Sequence, residues 1–145
     1  MTEISIGSVK NDESVVGEEN INQGETDEPE IVVDAIDDIP AKIALLHYCY
    51  EHHIPVWSSM GAARKWNPLD LRVTDIAKTA ICPLARHLRQ GLRKLGVTKG
   101  IRCVWSQEPP TPHTPNMLAS FMPVTATAGL LLAADLIQTI AKQNT

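Results

Sequence analysis

Apolar positions along this chain fall in short blocks whose spacing switches between two and three-to-four residues, the mark of strands alternating with helices. Ile31, Val32 and Val33 form a β-branched run flanked by acids, which predicts a buried strand. Pro40 then suits the first turn of a helix, where an N–H has no intrahelical partner, and Asp37 or Asp38 can cap that turn. Ile43, Leu46 and Tyr50 recur at helical steps, so a helix is expected to run to about His53 with those three on its buried face. Ile54-Pro55-Val56-Trp57 predicts a second strand. Strand, helix, strand is the parallel, right-handed unit whose ligands gather at the carboxyl ends of the strands, which here brings together Asp34, Asp37 and Ser58-Ser59-Met60-Gly61.

Further on, Gly61-Ala62-Ala63 is a small-residue turn suited to close backbone approach, and Leu69 to Ile76 alternates as a strand with one covered face. Pro83 opens a helix that carries Leu84, Leu88, Leu92 and Leu95 on one stripe and Arg86, Arg89 and Arg93 on another, and Gly96 stops it. Ile101 to Trp105 is a further strand, and Glu108 to Asn116, with four prolines, an irregular loop. From Ala119 a last helix places Val124, Leu131, Leu132, Leu136 and Ile140 among small residues, as expected of a helix laid on a sheet. The fold class is therefore α/β, a partial doubly wound sheet with flanking helices.

Charge changes this picture at the amino terminus. Residues 1–30 carry nine acids against the single base Lys10, no aromatic residue and no sustained periodicity, so they are expected to be a disordered acidic tail, with the folded domain at 31–145. The formal net charge of −4 thus hides a tail near −8 and a remainder near +4. That excess lies between Arg64 and Arg102, where ten bases face only Asp70 and Asp75, a density that points to an anionic partner. At 145 residues and 43% hydrophobic, the chain has material for one core.

Three widely spaced cysteines, Cys49, Cys82 and Cys103, form no C-x-x-C, which argues against a disulfide framework and a zinc site and for a reducing compartment. The amino terminus has neither the pattern of a signal peptide nor that of a mitochondrial presequence. The longest apolar run, Ala126 to Ala134, is interrupted by Thr127 and Gly129 and closed by Asp135, too short to span a bilayer. His47, His52 and His53 lack a partner set at ligand spacing and are assigned to the helix end, while Trp57 and Trp105 are assigned to the core. Trp66, beside Arg64 and Lys65, is the tryptophan to test for stacking on a base.

Six segments, in order, carry a family resemblance: V-V-D-A-I-D-D at 32–38, S-S-M-G-A at 58–62, V-T-D-I-A-K-T at 73–79, P-L-A-R-H-L-R at 83–89, G-I-R-C-V-W-S at 100–106 and A-S-F-M-P-V-T-A-T-A-G at 119–129. Over Ile31 to about Lys142 the chain resembles the ThiF-type, ubiquitin-activating-enzyme-like superfamily, and within it the tRNA threonylcarbamoyladenosine dehydratases, in their carboxyl-terminal half. The resemblance implies a Rossmann-like fold and an enzyme that uses ATP to adenylate the carboxylate of threonylcarbamoyl-adenosine at position 37 of tRNA, after which the activated group cyclises with net loss of water. It implies that Asp37 is the catalytic carboxylate that holds magnesium at the ATP phosphates, with Asp38 beside it at the nucleotide. Arg64, Lys65, Arg86, Arg89, Arg93 and Lys94 become the candidates for tRNA or substrate contact, as backbone-positioning groups.

The chain departs from the family pattern in ways that bear on activity. It contains no G-x-G-x-x-G, and the glycines before Ile31 are only Gly7, Gly17 and Gly24, in acidic sequence, so the glycine-rich half that cradles the nucleotide is expected to be missing. Asp38 stands where relatives usually carry asparagine, Asn67 where they carry aspartate, and Cys82 where dehydratases carry an acid and ubiquitin-like activators a catalytic cysteine. Two alternatives to the dehydratase therefore stand beside it: a non-catalytic tRNA- or partner-binding remnant of the fold, and an activator of a ubiquitin-like or sulfur-carrier protein. A half sheet leaves an unpaired edge, which predicts a homodimer or pairing with a chain that supplies the missing half. The expected compartment is cytoplasmic, and the resemblance adds the mitochondrial outer surface, where some eukaryotic relatives sit.

Overall fold

In the computed structural model, residues 30–109 and 120–143 are described; the acidic tail and most of the proline-rich loop lie outside them. The elements are β1 (Val32–Asp34), α1 (Ile39–Glu51), β2 (Val56–Ser59), β3 (Leu71–Asp75), α2 (Pro83–Lys94), β4 (Arg102–Ser106) and α3 (Met122–Gln143), with 3-10 turns at Pro68–Asp70 and Ile76–Lys78. Each predicted strand and helix is present, with boundaries shifted by a few residues. The four strands form one sheet in the order β1-β2-β4-β3. β1, β2 and β4 run parallel, and β3 lies antiparallel to β4 at the far edge.

Alternation along the central strands sets the two layers. Val56, Cys103 and Trp105 face α1 and α2, where they join Leu46, Cys49, Leu88 and Leu92, while Trp57 and Val104 face α3 and its Val124, Ala128 and Leu132. Gly91, in the interior of α2, lets α1 approach so closely that a Cβ there would lie 2.4 Å from Cδ1 of Ile43. α2 ends in a Schellman motif: the amide of Gly96, at φ +82°, donates to the Arg93 carbonyl and that of Val97 to the Leu92 carbonyl, and Val97 and Leu92 are both buried.

Several burial expectations are corrected. The buried face of α1 is Lys42, Leu46 and Cys49, while Tyr50 is exposed. On α2 it is Ala85, Leu88 and Leu92, with Leu95 exposed past the last turn. Val33, expected inside a buried strand, is 56% exposed, because α3 packs on β2, β3 and β4 and leaves that face of the edge strand β1 uncovered.

At 22 residues, α3 extends the apolar run at both ends, and by length and composition alone it is long and apolar enough to cross a membrane. Core helices of soluble proteins pass the same test, and α3 is tied to the sheet by Asp135. That carboxylate accepts from Trp57 Nε1 at 2.8 Å and from Arg102 Nε and Nη2 at 2.6 and 2.5 Å. The Arg102 fork holds the Asp135 carboxyl below its ordinary range, with the Trp57 bond adding to the effect.

Candidate functional site

The carboxyl ends of the parallel strands carry two loops, one after β1 and one after β2. The first is built on a buried ion pair. Asp34, the last residue of β1, is 1% exposed, and Lys42, one turn into α1, is 0% exposed. Lys42 Nζ lies 2.7 Å from Asp34 Oδ2, which also accepts from Ser58 Oγ at 2.6 Å, while Asp34 Oδ1 accepts from the Ile36 amide at 2.9 Å. Lys42 Nζ also donates to the Ile36 carbonyl at 3.1 Å. Both polar groups of Ile36 are thereby held by one pair of buried charges.

Of the two candidate caps, Asp38 takes the role. Its Oδ1 accepts from the Ala41 amide at 2.8 Å, in front of Pro40, and its carbonyl accepts from the Lys42 amide at 2.9 Å. Asp37 is exposed and is not the cap. Its carboxylate therefore stands at the carboxyl end of β1 with its neighbours on both sides fixed.

The second loop turns at Arg64, which takes φ +60°, so the left-handed residue here is an arginine. Lys65 is 2% exposed, and its Nζ donates to the Glu108 carbonyl. Burial pushes the Lys65 ammonium below its ordinary range, and the Cys82 and Glu108 side chains pull it part of the way back. The Glu108 carboxylate accepts from the Trp66 amide at 2.8 Å and the Asn67 amide at 2.9 Å. Asn67 in turn caps the 3-10 turn by accepting from the Leu69 amide at 3.0 Å, a role open to an aspartate as well. Beside this loop a cavity of about 150 Å³ is lined by Gly61, Ala63, Arg64, Lys65, Cys82, Pro83 and Leu84.

The basic candidates separate in space. Arg86, Arg93 and Lys94 are exposed along α2. Arg89 is turned inward, with Nη1 bonded to both the carbonyl and the hydroxyl of Thr79, so its guanidinium anchors the 3-10 turn after β3. Lys65 likewise faces inward, away from any partner on the surface. Trp66 is exposed and its ring tilts against Phe121, with centroids 5.2 Å apart. Trp57 and Trp105 are core, as expected, and Trp105 Nε1 donates to Thr74 Oγ1 at 2.9 Å. At the end of α1, His52 stacks on Tyr48 and its Nδ1 lies 2.9 Å from the Tyr48 carbonyl, while His47 pairs with Glu51. All three cysteines are free and buried, and burial pushes the Cys103 thiol up to about 12.

Among the described residues no group of three or more His, Cys, Asp or Glu side chains is placed to hold a metal by itself. The first loop instead offers an exposed carboxylate, that of Asp37, which is not engaged in capping and is the kind of donor that suits a magnesium ion shared with phosphate oxygens and water. Lys42 went unnoticed in the sequence pattern. The available signal was its spacing, since residues 42, 46 and 49 are one helical face, and a lysine on the face of Leu46 and Cys49 must be paired if that face is buried.

An open α/β sheet with helices on both faces, and its polar groups clustered at the carboxyl ends of parallel strands, defines the class of folds that bind ligands at that end. Within the class, the chain belongs to the ThiF family, whose model matches residues 3–145 and so runs through the acidic tail as well as the folded part. It is 46% identical over 90 residues to tRNA threonylcarbamoyladenosine dehydratase 2 of Saccharomyces cerevisiae, covering 62% of this chain and 20% of that enzyme. It is 44% identical over 79 residues to the tRNA threonylcarbamoyladenosine dehydratase of Bacillus subtilis, covering 54% and 31%. The crystal structure of the Escherichia coli dehydratase TcdA in complex with AMP superposes with a TM-score of 0.72 at 35% identity, covering 79% of this chain and 50% of that one. The same enzyme has been solved with ATP. The chain thus spans about half the length of the solved dehydratase and a smaller share of the curated ones, and the resemblance drawn from its motifs is borne out.

Proposed function

We propose that this chain forms the metal side of an adenylating site that activates the carboxylate of threonylcarbamoyl-adenosine in tRNA for cyclisation, at the expense of ATP. The observation that carries the proposal is the freedom of Asp37: helix capping is done by Asp38, so the one carboxylate at the end of β1 without that structural duty faces solvent. The likeness to an enzyme solved with AMP and ATP supports a nucleotide as ligand, and the general rule that open α/β sheets bind at the carboxyl ends of their strands supports this end of the sheet. Magnesium, when bound, neutralises the charge on the phosphate oxygens and the departing pyrophosphate.

The chain's own residues divide the remaining work. Asp37 holds the ion, next to the Asp38-capped amino terminus of α1. Arg86, Arg93 and Lys94 offer backbone contacts to tRNA, and Arg64 borders the cavity beside the second loop. The edge of β1, which has no strand partner on its outer side among the described residues, is the surface on which a second copy or another polypeptide with the nucleotide-cradling half would pair.

Titration of the full chain with ATP, with and without magnesium, tests the proposal. Magnesium-dependent binding that disappears in Asp37→Ala supports it. No binding in the unaltered chain, together with salt-sensitive tRNA binding that weakens in Arg93→Ala, would favour the non-catalytic tRNA-binding remnant instead.

A further inference from the structure

We infer that Asp34, Lys42 and Ser58 are positioning residues that hold the backbone at Ile36, immediately before Asp37, and so aim its carboxylate; the inference rests on the metal role proposed above. The Lys42 side chain reaches the residue before Asp37: its ammonium bonds the Ile36 carbonyl at 3.1 Å, while on the other side Asp38 is held by the first backbone bond of α1, its carbonyl accepting from the Lys42 amide at 2.9 Å. Asp34 completes the hold on Ile36 by accepting from its amide at 2.9 Å. Asp37 is the single residue between two clamped neighbours.

Three features separate this cluster from ordinary core packing. All three side chains are 1% exposed or less, which removes the pair from solvent screening and from competition by water. Ion pairs so buried gain little net stability over apolar packing of the same volume, so what this pair supplies to the loop is fixed geometry. The cluster also spans three elements, with Asp34 ending β1, Lys42 in α1 and Ser58 in β2, so the loop is referenced to the sheet and not to the helix alone. The Ser58 hydroxyl orients the Asp34 carboxylate by donating to Oδ2, which leaves Oδ1 to receive the Ile36 amide.

The test is made in the full chain with the double variant Asp34→Leu/Lys42→Met, which removes both charges together so that neither is left unpaired. Two quantities are read in variant and parent: amide hydrogen exchange across residues 35–38, and the affinity for Mn²⁺ in the presence of ATP. The expected result is a variant that still unfolds cooperatively, with exchange in that segment faster on the order of tenfold and Mn²⁺ affinity weaker by a similar factor. Asp37→Ala should lose the affinity and leave the exchange unchanged, which separates ligation from positioning. Lys42→Arg, which keeps a buried donor, should restore part of both. Unchanged exchange in the folded double variant would overturn the inference, as would faster exchange with unchanged affinity. If the parent binds no Mn²⁺ with ATP, the proposed function fails along with any aiming role for the cluster, whereas the exchange data report separately on the clamp.

Discussion

The two loops at the carboxyl ends of β1 and β2 are fixed by opposite means. After β1, a lysine and an aspartate are driven wholly inside and hold both backbone polar groups of Ile36 between them; after β2, Glu108 reaches in from a partly exposed position and collects two amides with its carboxylate, while its carbonyl receives Lys65. The first arrangement fails abruptly if either partner is lost, because the other charge stays buried. The second is more forgiving, since freed amides at an exposed loop can turn to water. The lesson is that the loop that bears Asp37 is fixed by two opposite charges buried together, whereas the loop after β2 buries a single lysine on a carbonyl and leaves the Glu108 carboxylate partly in solvent.

The largest effect should come from Lys42→Ala. Leaving Asp34 buried without its partner is expected to destabilise the fold by about 3–5 kcal/mol, read as a shifted denaturation midpoint. A loss under about 1 kcal/mol would mean that water reaches the pair and that the contrast between the loops is smaller than the burial suggests. Glu108→Ala should be milder, about 1–3 kcal/mol, with the change in hydrogen exchange confined to residues 64–68. A cost equal to that of Lys42→Ala would erase the distinction.

Within the first loop, adjacent aspartates should behave differently. Asp38→Ala removes the cap and is expected to cost about 1 kcal/mol, whereas Asp37→Ala should stay within about 0.5 kcal/mol by the same chemical denaturation. Reversed magnitudes would return Asp37 to a structural role.

The smallest effect concerns pH. The folded Asp135 carboxyl lies below its ordinary value of 3.8, chiefly because of the Arg102 hydrogen bonds. A depressed carboxyl contributes stability that is fully present above the unfolded value and is lost as pH falls through the folded one. Melting curves of Asp135→Asn and the parent should therefore differ at neutral pH and converge as the pH drops below about 4. Curves that stay parallel across that range would show that the Arg102 fork, 44% exposed at the arginine, is screened into insignificance.

Much of this was legible in the residues. Alternation from Leu69 to Ile76 and the apolar runs at residues 54–57 and 101–105 marked strands, Pro40 and Pro83 marked two helix starts, and Gly96 marked a stop, because these signals act within a few residues. The ordered motifs identified the family for the same reason: they are local strings that survive without knowledge of the fold. Among the expected contacts, those that failed involved long side chains. Arg89 and Lys65 read as free cations and are turned to Thr79 and Glu108, partners ten and forty-three residues away.

The sequence by itself determined the strand and helix order, the α/β class and the kinship. Only the tertiary structure decided that Asp38 caps while Asp37 stays open, that β3 runs antiparallel, that Val33 is left bare, and that Lys42 lies inside against Asp34 and Ser58. Local propensity and periodicity are set by each residue's immediate neighbours, whereas the partner a charge finds depends on which elements the sheet brings side by side, and that is a property of the assembled chain.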